Sequence, residues 1–236
     1  MTRRSDIDRL YDLLERLEER VGGKRLLGDC NGRMDWPERG IYLFFSPDET
    51  RADDERLRIT RVGTHAISRG SATSLWNRLR THRGSFRGSY AGGGNHRGSV
   101  FRLRVGEAMI ERDDLHDAFP KWGKGSSAAR EQRLQELPHE RRVSDYIREL
   151  PFLWVTVDDE PGPDSRRAYL ERNLIGMLSN YDREPIDPRD PDWLGGYSTS
   201  EYISGSGLWN VDHVTDGSDP DCLDVLETYV EGTGPL

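Results

Sequence analysis

From Arg58 to Arg104 the chain carries ten arginines and not one aspartate or glutamate. Guanidinium groups pair bidentately with phosphate oxygens, so an acid-free run of them suits contact with a phosphodiester backbone. Within this run Arg78 and His82 stand four residues apart, which places both on one face of a helix. Glu171 and Ile175 have the same spacing, so this carboxylate shares a helical face with core residues and points toward a sheet. Arg80, Arg83, Arg87 and Arg97 are read together as nucleic-acid contacts, and His96, within Gly-Asn-His-Arg-Gly at 94–98, joins them. The chain uses thirty-one arginines against three lysines. That bias explains the choice of cation and leaves the missing acids unexplained.

Helices and strands must position these groups. Ile7, Leu10, Leu14, Leu17 and Val21 recur at helical steps, and Ser5 with Asp8 predicts a capped start to a helix over 5–20 stopped by Gly22-Gly23. The apolar run 40–45 (GIYLFF) and the alternating run 57–63 (LRITRVG) predict two strands, with a polar surface loop over 46–55 between them. A helix is expected over 73–82, an exposed mobile loop over 83–98, and a strand over 99–105 (SVFRLRV) with Arg102 and Arg104 on one side. Residues 126–150 read as two helices broken at Pro138, and 152–157 as a buried strand. Helices over 163–179 and 221–231 follow, around a loop-rich stretch over 181–207. Antiparallel strands with helices between them give an α/β (α+β) layered domain.

Four short motifs in this order carry a resemblance. Gly40-Ile41-Tyr42, then Arg61-Val62-Gly63, then Arg78 with His82, then Glu171 within YLERNLIGMLSN at 169–180 resemble the GIY-YIG nuclease superfamily. The resemblance covers roughly 39–181. It implies a small, mainly antiparallel three-stranded sheet flanked by helices, a helix and loop over 1–38 packed on it, and an acidic C-terminal extension over 182–236. It also implies a divalent-metal phosphodiesterase. By that resemblance Tyr42 activates or orients the attacking water, Arg78 holds the scissile phosphate, and His82 belongs to the same catalytic set. Glu171 binds Mg²⁺ or Mn²⁺, and Asn180 stands for a late asparagine. Gly40 and Gly63 are structural glycines of the two strand motifs. Phosphodiester hydrolysis asks for these functions: a deprotonated water, neutralised phosphate oxygens and a carboxylate-held hard cation. The sequence departs at Arg61, where the second motif has a tyrosine. Arg61 can bind phosphate but cannot act as a base.

Composition sets limits on these readings. The net charge is −8, with thirteen acids and two arginines after Asn180, so a basic face is expected on an acidic body. No apolar run reaches the roughly 18 residues of a bilayer-spanning helix. The N-terminal segment is charged and lacks the apolar stretch of a secretory signal, and Cys30 and Cys222 form no disulfide framework. A cytoplasmic protein acting on DNA is therefore expected, with RNA and the oligomeric state left open. Two further readings stay open: a catalytically degenerate nucleic-acid-binding scaffold, motivated by Arg61, and a regulatory protein whose acidic tail covers the basic face. The segment 206–214 (SGLWNVDHV) resembles a stretch of bacterial proteins of this type and has no assigned role.

Overall fold

A computed structural model describes residues 2–236. Helix α1 (Arg3–Val21) starts two residues earlier than expected, because Thr2 and not Ser5 is its cap: Thr2 Oγ1 accepts from Ser5 N–H and Ser5 Oγ accepts from Thr2 N–H. It ends at Gly22 in the left-handed conformation, φ 78°. The predicted apolar stripe is buried, from Ile7 to Val21.

The sheet is wholly antiparallel, in the order β1-β4-β2-β3 for β1 (Arg25–Leu26), β2 (Gly40–Thr50), β3 (Leu57–Gly63) and β4 (Pro151–Thr156). Three strands of useful length thus form the small sheet, and the two-residue β1 adds a fourth at one edge. Central β2 is buried on both faces, which is why its sequence is a continuous apolar run. It also runs on to Thr50, into residues expected as loop. Buried ion pairs sustain that extension: Glu49 holds Arg58 at 2.9 Å, and Arg51 is held by Asp187 at 2.8 Å and Asp8 at 2.7 Å.

Two expected elements are corrected by the structure. The stretch 99–105 is no strand: it opens helix α3 (Val100–Asp113), capped by Ser99 Oγ accepting from Arg102 N–H. Phe101, Val105, Ala108 and Met109 bury one face at helical spacing. The apparent alternation misled because Arg102 lies fully inside, on Glu140 and on the carbonyl of His82. Helix α4 (Arg130–Glu149) runs unbroken through Pro138. Proline forfeits one backbone bond there, and Glu136 and Glu140 clamp the flanking turns to Arg97, Arg102 and His96.

Helix α2 (Leu75–Arg83) follows β3, α5 (Arg166–Leu178) follows β4, and α6 (Glu201–Ser206) and α7 (Cys222–Gly232) complete the chain order. The loop 83–98 is folded against α4. Ser85 N–H donates to Gly93 O and Gly92 N–H to Ser85 O, each at 2.8 Å, and Arg141 Nε donates to Ala91 O at 3.0 Å. Cys30 and Cys222 are free and buried, with burial pushing their thiols up to about 11 and about 12. Among the described residues no helix is long and apolar enough to cross a membrane.

Candidate active site

Tyr42 projects from β2 at the point where its strand partner is Gly63. A Cβ on Gly63 would stand 2.4 Å from Tyr42 Cζ and Oη, so the phenol ring lies directly over the glycine. The ring leads into a cavity of about 210 Å³. Arg61 of β3, Arg78 and His82 of α2, and Glu171 of α5 line that cavity with it. Five residues spread over 130 positions of sequence are thereby brought to one place by two strands of the sheet and two helices.

A chain of hydrogen bonds fixes the tyrosine. His82 Nε2 lies 2.8 Å from Tyr42 Oη, and His82 Nδ1 lies 2.8 Å from Ser99 Oγ. Ser99 Oγ already accepts from Arg102 N–H at 3.2 Å and has one hydroxyl hydrogen to place. With Ser99 O–H donating to His82 Nδ1 and His82 Nε2–H donating to Tyr42 Oη, both hydrogens of the buried Ser99–His82 pair are used. Burial holds His82 neutral, well below the usual histidine range, with Arg61 and Arg78 adding to the effect. The Tyr42 O–H is then left for the cavity. Burial raises the phenol above its ordinary value, while Arg61 and Arg78 pull it down.

The charged groups are unusual for their lack of partners. Arg78 makes no side-chain hydrogen bond or ion pair among the described residues, and its Nε is buried and unpartnered. Arg61 Nη1 donates to Trp209 O at 2.8 Å and its guanidinium lies 4.7 Å from the Phe101 ring centre, with Nε unpartnered. Glu171 Oε1 accepts from Thr64 N–H at 3.0 Å, and Oε2 makes no hydrogen bond. Burial pushes the Glu171 carboxyl up, against Arg61, the Thr64 amide, His213 and Arg78. No cluster of three or more histidine, cysteine or acidic side chains that could cage a metal occurs among the described residues. One half-buried carboxylate with an open oxygen beside an open cavity suits a hard divalent ion that keeps most of its waters. The donor set therefore fits Mg²⁺ or Mn²⁺ on Glu171, and gives a soft metal no thiolate or imidazole cage.

The other expected site residues stand elsewhere. Asn180 lies outside the cavity, its Oδ1 accepting from Arg3 and from Ile186 N–H and its Nδ2 donating to Asp187 O. His96 is buried, with Nδ1 2.9 Å from Glu140 Oε1 and its ring stacked 3.9 Å from Trp122. Arg97 is buried against Glu136 at 2.7 Å. Neither is available to a nucleic acid. Arg58, Arg97 and Arg102 are all neutralised internally by glutamates from outside the acid-free run. Arg80, Arg83 and Arg87 do share a groove with Phe86, although Arg83 also donates to Cys30 O and stacks on Trp76. His65 lines the cavity, but Nδ1 donates to Thr73 O at 2.7 Å and Nε2 accepts from Gly40 N–H at 3.3 Å. Burial lowers it to about 4. Gly40 O in turn accepts from Thr64 Oγ1.

The segment 206–214, without a role on sequence grounds, forms one cavity wall. Trp209 N–H donates to Thr60 O at 2.7 Å, and Asn210 donates to Val62 O at 2.8 Å and accepts from Val62 N–H at 3.2 Å. The segment thus extends the outer edge of β3 and places Asn210, Val211, Asp212 and His213 on the cavity. The acids further on do not cover the basic groove: Asp224 and Glu227 pair with Arg9, and Glu227 with Arg16, on α1.

The GIY-YIG domain family matches this chain over residues 1–236, and the chain belongs to that family. Its fold, a small antiparallel sheet flanked by helices, is that of the class. The chain matches no curated protein and no solved structure.

Proposed function

We propose that this protein is a metal-dependent endonuclease that hydrolyses phosphodiester bonds of DNA. The observation that carries the reading is an Arg78 guanidinium without a hydrogen-bond partner and a half-buried, half-satisfied Glu171 in the cavity that receives the Tyr42 hydroxyl. Half-buried charges without hydrogen-bond partners cost stability, and an anionic substrate with a divalent cation would satisfy both. Arg78 and Arg61 would hold the non-bridging phosphate oxygens through fixed donors. Tyr42, held through His82, would orient the attacking water, and would take its proton as the phenolate that Arg61, Arg78 and a bound cation favour. A bound Mg²⁺ or Mn²⁺ supplies Lewis acidity at the phosphate.

The path of the nucleic acid follows from shape and charge. The cavity shares Ile67 and Arg78 with a neighbouring depression, which shares Thr81 with the groove of Arg80, Arg83 and Arg87. No acid lines either of those two depressions. A backbone leaving the cavity would cross α2 over this surface. Two free, buried thiols suit a reducing compartment, and we place the protein in the cytoplasm.

Plasmid cleavage in Mg²⁺ or Mn²⁺, against EDTA and against Glu171→Gln, tests the reading. Metal-dependent nicking that disappears in the variant is expected. Parallel assays on single-stranded DNA and RNA decide the substrate. The second reading, a binding scaffold without catalysis, is favoured by Arg61 alone, and intact DNA binding with no cleavage of any substrate would establish it instead.

A further inference from the structure

Hydrolysis of a phosphodiester has two proton requirements: the water loses one, and the leaving nucleoside oxygen gains one. Tyr42 answers the first. The cavity can be searched for a group that answers the second. Arg61 and Arg78 do not release protons at any working pH. His65 and His82 have both ring nitrogens committed to Thr73, Gly40, Tyr42 and Ser99. Asp212 is exposed and makes no side-chain hydrogen bond that would aim it. His213 alone has one nitrogen anchored and the other free: Nδ1 lies 3.0 Å from Asp216 Oδ2, and the ring lines the cavity.

The surrounding turn is built to hold that ring. His213 has φ 65°, a left-handed conformation that side chains with a Cβ rarely adopt. Asp216 N–H closes the turn on His213 O at 3.1 Å. Val214 is buried, and its carbonyl accepts from Ser179 Oγ at 2.6 Å. Asp216 also accepts from Arg172 Nε at 2.9 Å through its carboxylate and from Arg183 Nη2 at 3.1 Å through its carbonyl. On α5 a Cβ at Gly176 would stand 2.7 Å from Gly217 O and 2.8 Å from Asp216 O, so only glycine lets the turn approach this closely. A carboxylate on Nδ1 orients the ring and holds the Nδ1–H tautomer, which leaves Nε2 without a protein partner.

Building on the phosphodiesterase reading, we infer that His213 is the general acid that protonates the leaving oxygen, with Asp216 its positioning residue. As the water oxygen bonds to phosphorus, the bond from phosphorus to the nucleoside oxygen breaks with its electron pair on that oxygen. The proton on His213 Nε2 passes to it. His213 is left neutral with Nδ1–H still on Asp216, and solvent returns the proton. The charges facing His213 are Asp212 and Asp216 on its own segment, Glu171 and Arg172 on α5, Arg183 beyond α5, and Arg61 and Arg78 across the cavity. His213 forms an ion pair with Asp216 and none with Glu171.

The test compares wild type, His213→Asn and Asp216→Asn on plasmid DNA across pH. It then compares them on a duplex carrying a bridging phosphorothiolate at the position the plasmid fragments define. Asparagine tolerates the left-handed backbone, and thermal unfolding checks that each variant is folded. His213→Asn should lower the plasmid rate on the order of 10²–10³-fold and abolish the alkaline decline of the rate, since the acid is gone. A sulfur leaving group needs no proton, so the phosphorothiolate should be cut within about threefold of wild type. Asp216→Asn should give a smaller loss with the alkaline limb moved to lower pH. An unchanged plasmid rate, an alkaline limb that persists, or an equal loss on both substrates overturns the inference. A wild-type protein that cuts nothing overturns the nuclease reading itself, and the acid role with it.

Discussion

Replacing Gly63 by alanine is a strong test of the site's geometry. The new methyl carbon would stand 2.4 Å from Tyr42 Cζ and Oη, against an ordinary contact of 3.4 Å or more, so the ring must move by the difference, about 1 Å. Tyr42 Oη now lies 2.8 Å from His82 Nε2, and a shift of that size takes the pair to about 3.8 Å, beyond hydrogen-bond range. Overpacking costs roughly 1–3 kcal/mol and the lost buried bond about 1 more. A total near 2–4 kcal/mol should lower Tm by roughly 5–15 °C in a chain of this size. A 1 Å misplacement of a reacting group costs about 10²-fold in rate, so plasmid cleavage should fall at least that far. Calorimetry and cleavage assays on one preparation read both effects. Repeating Gly63→Ala in a Tyr42→Leu background should remove most of its stability cost, because the clash then has no partner. Wild-type Tm and activity in the single variant would show that the ring has another place to go, and the proposed role of the Tyr42–Gly63 register would be refuted.

The remaining predictions address charge, pH and the cavity wall. Arg78→Ala should lower cleavage by about 10²–10³-fold while leaving Tm at or above wild type, since it removes a cation with no protein partner; a large drop in Tm would reveal a structural role instead. Adding Mg²⁺ or Mn²⁺ should raise the Tm of wild type and not of Glu171→Gln, measurable by thermal shift without any turnover. Burial holds His65 and His139 at about 4, below the ordinary 6.5, so the unfolded chain takes up protons that the folded one refuses. Stability should therefore be full above pH 6.5 and fall as pH drops toward 4, by at most about 1.4 kcal/mol per pH unit for each histidine. Urea midpoints across this range give the slope, and His139→Gln should flatten it. Asn210→Ala should cost about 2 kcal/mol through the two unsatisfied Val62 groups and should lower activity as the wall loosens.

Much of the site could be read from local sequence, because Tyr42, Arg61, Arg78, His82 and Glu171 sit in short motifs whose spacing reports their elements. The strand over 57–63 and the helices around Arg78 and Glu171 were legible because one face of each is apolar, and the strand over 40–45 because it is apolar throughout. What sequence could not show was pairing at a distance. Arg97 and Arg102 look like surface cations until Glu136 and Glu140 are brought to them by α4. Inward-facing Arg102 also made a helix resemble an alternating strand. Asn180 stood for the late asparagine that the resemblance implies, whereas the asparagine on the cavity is Asn210, whose side-chain amide docks on the Val62 backbone of β3. No periodicity encodes such a docking, because it depends on a loop returning to a particular strand edge.

That return also has a timetable. A ribosome releases Tyr42, Arg61, Arg78 and His82 long before residues 209–213, which must wait for α3, α4, β4 and α5 to be made. Through that interval the outer backbone of Thr60 and Val62 is an open strand edge, ready to pair with any neighbouring chain. Whatever chemistry the cavity supports is also withheld, because one of its walls has not yet been synthesised. Arrival of Trp209 and Asn210 seals the edge and completes the cavity in the same event, so the nascent protein becomes safe from misassembly and competent at one moment.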